Sequence, residues 1–105
     1  MKNEIRVFIK QPGSAFYEAY IENELEAFQA AVGGYIEFVP IGSPSNRDIG
    51  ILADEEGIIK GREYNCDICG IRLFGTIVLV GVKGEDFADF PFDIDFLQRI
   101  TNMED

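Results

Sequence analysis

The chain has 105 residues, 47% of them hydrophobic and 27% charged, which gives enough apolar surface for one folded core and argues against disorder. Nineteen acidic residues against nine basic ones, with no histidine, set the net charge at −10. That field repels phosphate, so direct nucleic-acid binding and attachment to anionic lipid are disfavoured, and no apolar run approaches the ~20 residues of a membrane span.

Ile5, Val7 and Ile9 alternate with Glu4, Arg6 and Lys10, the period of a half-buried strand, and Phe8 interrupts the alternation as a residue of the second face. Pro12-Gly13-Ser14 is a turn, and Phe16 to Ile21 reads as the returning strand of a hairpin. Asn23 with Glu26 three residues later forms a capping box, opening a helix that packs Leu25, Phe28 and Val32 inward. Glu22, Glu24 and Glu26 then lie near the positive end of the helix dipole, and Gly33-Gly34 supplies the left-handed stop.

Tyr35 to Pro40 is the next strand, closed by proline, followed by a loop over Gly42 to Asn46 and a short apolar strand from Ile49 to Ala53. Asp54-Glu55-Glu56-Gly57 is a polar turn, with Ile58-Ile59 starting the partner strand. Leu73 to Val82 is a nearly unbroken β-branched run bounded by Gly75 and Gly81, the pattern of a central strand buried on both faces. Gly84 to Pro91 is a loop, and Asp93 caps a final helix that turns Phe96, Leu97, Ile100 and Met103 inward. With no repeat or linker, residues 1–105 read as a single α+β domain: a mostly antiparallel sheet of about six strands with two helices, its closure into a partial barrel left open.

Few residues are equipped for chemistry. Cys66-Asp67-Ile68-Cys69 could supply half of a tetrahedral metal site, which a second chain would have to complete, because the sequence has no other cysteine and no histidine. A redox role would favour a helix N-terminus, whereas Gly70 follows and Glu63 and Asp67 are acidic neighbours that raise a thiol pKa. Two ordinary loop cysteines is the plainer account. Asp54, Glu55 and Glu56 sit together on a turn where all three would be solvated, and Glu85, Asp86, Asp89, Asp93 and Asp95 lack the ligand spacing of a calcium loop. A hydrolase built on such acids would require two of them across a cleft. Without histidine, the usual base for a serine or cysteine nucleophile is missing, and no glycine-rich phosphate loop occurs.

The segment Leu25 to Pro40, with its Val32-Gly33-Gly34-Tyr35-Ile36-Glu37 core, resembles the family catalogued as domain of unknown function 3846. So do Asp54-Glu55-Glu56-Gly57, Gly61, Asn65 and the strand Gly75 to Gly81. Asp54 departs from the pattern, where the family often carries asparagine, and Cys66 and Cys69 lie outside it. The resemblance implies a protein of bacterial phages, plasmids or conjugative elements and carries no catalytic residue or cofactor.

Together these readings lead to a small acidic, non-catalytic accessory protein that binds a macromolecule, expected to be another protein, and a basic one if the acidity does more than keep the chain soluble. Asp54, Glu55, Glu56 and Asn65 are its candidate interaction surface, and Phe16, Tyr17 and Tyr20 candidate aromatic anchors. The alternatives are a metal-linked homodimer through Cys66 and Cys69 and a hydrolase using acidic residues. The opening Met1-Lys2-Asn3-Glu4 lacks the apolar stretch of a secretory signal, so the expected location is the cytoplasm.

Overall fold

Alternation at the start of the chain does become a strand, β1 (Glu4–Lys10), in a computed structural model that describes residues 3–41 and 48–102. β1 pairs antiparallel with β2 (Tyr17–Glu22) through the expected hairpin. Beyond it come α1 (Leu25–Val32), β3 (Ile36–Ile41), β4 (Ile49–Asp54), β5 (Tyr64–Ile68), β6 (Ile71–Phe74), β7 (Ile77–Lys83), β8 (Asp86–Ala88), α2 (Ile94–Ile100) and β9 (Thr101–Asn102). The large sheet has six strands in the order β2-β1-β7-β4-β3, with β8 extending the pairing of β7. A smaller sheet has the order β6-β5-β9. Among the described residues every pairing is antiparallel, and neither sheet closes into a barrel.

The large sheet is covered on both faces, which explains why β4 and β7 read as continuous apolar runs. On one face Ile5, Val7, Ile9, Leu52, Val78 and Val80 pack against Phe28 and Val32 of α1. On the other, Phe8, Ile51, Ile77 and Leu79 meet Cys66, Ile68 and Leu73 of the small sheet and Leu97 of α2. Phe8 therefore occupies the second face, as its break in the alternation implied.

Several local expectations are corrected. Leu73 to Val82 is not one strand: the chain turns at Gly75, whose φ of +76° requires glycine, and the run divides between the two sheets. An apolar run shows that both its parts are buried, but not that they share a direction. Ile58-Ile59 starts no strand, because hydrogen bonds from Lys60 N to Glu56 O (2.8 Å) and Arg62 N to Gly57 O (2.9 Å) coil residues 55–61 into turns. Asn23 does not cap α1. The cap position is Glu24, and Asn23 Nδ2 instead donates to Phe87 O at 2.9 Å, tying the hairpin to β8 inside the expected Gly84–Pro91 loop.

Leu25 turns out to solvent, while Phe28 and Val32 point in as expected, and Gly33 ends the helix in the left-handed region. Pro40 lies inside β3 instead of closing it, which an edge strand tolerates because the missing N–H faces away from the ladder. Asp93 does stand at the N-cap of α2, though without a side-chain cap bond, and its Oδ1 accepts from Arg6 Nη2 at 3.2 Å. The loop expected over Gly42 to Asn46 and the inward Met103 lie outside the described residues. Among the described residues no helix is long and apolar enough to cross a membrane.

Candidate interaction site

β4 ends on a carboxylate that is buried. Asp54 was expected in solvent, yet its side chain is only 1% exposed and accepts from Lys60 Nζ, Arg62 Nε and the Glu56 N–H, each at 2.9 Å. Burial alone would raise its pKa. The donors from Lys60, Glu56 and Arg62 outweigh that and hold it down to about 2. Arg62 also donates from Nη2 to Gly33 O at 2.8 Å, joining the turn to the end of α1. Gly34 faces the same cluster so closely that a Cβ there would stand 2.7 Å from Asp54 Oδ2. The helix stop and the acidic turn, far apart in sequence, are thus two sides of one ionic knot.

Asn65, on β5, is also buried. Its Nδ2 donates to Lys10 O (2.9 Å) and Gly75 O (2.7 Å), and its Oδ1 accepts from Lys10 Nζ (2.6 Å). It locks β5 to β1 and to the bend between the sheets. Of the four residues expected to form an interaction surface, Glu55 and Glu56 are exposed, whereas Asp54 and Asn65 are buried structural groups. A buried side chain already holding its full set of partners cannot meet a macromolecule.

The turn does present something the sequence reading missed. Ile58 and Ile59 are 73% and 83% exposed, beside a groove of about 470 Å³. Val39, Ala53, Ile71, Leu73 and Phe74 give it apolar walls, and Glu37, Glu55 and Arg72 give it charged ones. One wall is β6, the outer strand of the small sheet, whose other edge pairs only with β5 among the described residues. The signal in the sequence was Gly57-Ile58-Ile59-Lys60-Gly61, an apolar pair confined between two turn glycines with no room for a strand.

The remaining candidates separate. Cys66 is fully buried in β5, not in a loop, and burial pushes its thiol up to about 11, with Lys10 pulling the other way. Cys69 is exposed on the turn at a φ of +50°. A metal shared between chains would have to draw Cys66 out of the core. No cluster of metal-binding residues occurs among the described residues. Of the later acids, Asp89 Oδ1 accepts from the Arg6 N–H at 2.8 Å, and Arg6 pairs with Glu18 and Asp93, so they tie β1 to the segment before α2. Asp54, ionised and doubly paired, has the opposite character to a general acid. Tyr17 and Tyr20 are exposed on β2, while Phe16 packs partly against the core.

A family model described as a domain of unknown function, DUF3846, matches residues 5–103, and the chain belongs to that family. No curated protein and no solved structure matches it.

Proposed function

We propose that this protein is a non-catalytic accessory module of a bacterial mobile element that binds a basic partner protein, taking an extended segment of it into the groove beside β6. The observation that carries this reading is the exposure of Ile58 and Ile59 next to an apolar groove walled by β6, a strand that pairs with β5 alone among the described residues. Adjacent isoleucines at such exposure forgo roughly 1.5–3 kcal/mol each that burial would return. An open edge can add a strand from another chain through backbone hydrogen bonds, with side chains on alternate positions filling the groove.

Charge chooses the partner. Lys60 and Arg62 are committed to Asp54 and Arg72 pairs with Asp67 at 3.6 Å, which leaves Glu37 and Glu55 on the groove wall, with Glu56 next in the turn, to set the sign on a chain of net charge −10. A segment alternating Lys or Arg with apolar residues matches both features. The mobile-element setting rests on the family resemblance.

Panning a random-peptide display library on the folded protein tests the reading. Enriched peptides should alternate basic and apolar residues, bind more weakly at high salt, and lose binding to Ile59→Asp, which alters only an exposed side chain. Absence of enrichment, or peptides indifferent to Ile59→Asp, refutes it. Dimerisation in sedimentation runs that Ile59→Asp abolishes would assign the groove to a second copy and also refute it.

A further inference from the structure

We infer that Lys10 anchors a second site, for a small monocarboxylate with a short apolar tail, in the recess between β1, the turn that follows it, and α2. Among the described residues Lys10 is the one cation placed in the interior: it is 3% exposed, and its ammonium donates to a single described acceptor, Asn65 Oδ1. An ammonium has three protons to donate, and burying one without a counter-ion is costly.

The chain does not lack counter-ions. It has nineteen acidic residues, and it sets two cations on the buried Asp54, yet among the described residues no carboxylate lies within ion-pairing distance of Lys10. Asn65 cannot turn to relieve this, because its Nδ2 is held by Lys10 O and Gly75 O, which fixes its oxygen on the ammonium.

Lys10 also lines a recess of about 370 Å³. Ser14 and Gln98 supply polar groups to it, Thr101 lines it with a hydroxyl that donates to Leu97 O, and Phe16 and Ile94 supply apolar walls. A largely apolar recess lined by a few polar residues and one buried lysine has the composition of a small-ligand site. One ammonium and neutral donors match one negative charge. A phosphate dianion would bring a second charge into a chain already at −10, with no arginine among the described residues of the recess to receive it. The recess shares no described residue with the groove beside β6, so the two sites stand or fall separately.

The test is a titration of the ¹⁵N-labelled protein with hexanoate, with hexanamide as its neutral counterpart, and with inorganic phosphate. Hexanoate should move the amide signals of Ser14, Phe16, Gln98 and Thr101 saturably. Hexanamide should bind at least about tenfold more weakly, the loss expected when a charge-assisted bond is removed, and phosphate should not compete. Lys10→Met should cost hexanoate about tenfold or more in affinity. Ser14→Trp, on the exposed turn, should block entry without touching the core. The inference is overturned by unsaturable shifts, by equal binding of hexanamide, by preference for phosphate, or by hexanoate binding that survives Lys10→Met. If Lys10→Met does not fold, undiminished binding to Ser14→Trp overturns it.

Discussion

Asp54→Asn removes one charge and almost no volume from the end of β4, so its effect reports the ionic knot rather than packing. The carboxylate is 1% exposed and receives Lys60, Arg62 and the Glu56 N–H. Burial raises its pKa, but those donors bring it to about 2, against 3.8 for the unperturbed group. A depression of that size corresponds to about 2 kcal/mol of stability at neutral pH. Because the folded-state pKa is the lower one, this stability is complete above the unfolded value. It is lost as pH falls toward the folded value, with roughly half left near pH 3. Lys60 and Arg62 keep 37% and 34% of their side chains in water, so added salt should trim the figure. Urea unfolding of both proteins, stepped from neutral pH down to about pH 3, is the assay. Asp54→Asn should be less stable by about 2 kcal/mol at neutral pH, with the gap narrowing on acidification. A variant as stable as the parent, or a gap that ignores pH, refutes the argument.

Asn65→Ala should be the more damaging change, by about 3 kcal/mol, because it strands the buried Lys10 ammonium and removes the donor from two carbonyls at once. A urea midpoint close to that of the parent would show that the bend at Gly75 holds without it. Thiol labelling under mildly alkaline conditions should give one fast-reacting group, Cys69, lost in Cys69→Ser. Cys66, buried with its pKa near 11, should react only as the protein unfolds. Two fast thiols would place Cys66 outside the core.

Much of the architecture was present in the order of residue types. Alternation in β1, the glycine stop after α1 and the β-branched runs marked strands and a helix, because burial on one face or two imposes a period on the chain. Even the doubly covered sheet was announced by Phe8 among the polar positions. Lys10 lies two residues further along that same face, where burial could have been anticipated. The net charge and the lack of histidine can also be read directly from the sequence.

Tertiary structure alone decided which polar residues leave water. Asp54 and Glu55 are chemically alike neighbours on one turn, yet one is sealed in the knot and the other stays at the surface. The difference comes from Lys60, Arg62 and Gly34, brought there by the bends at Gly61 and Gly75 and by the end of α1. Likewise Ile58 and Ile59 would have been core residues in a strand, and became a surface because the knot coils their turn outward. Periodicity records what a residue would bury beside its sequence neighbours. Long-range contacts choose which backbone path the chain takes, and so determine what each side chain meets.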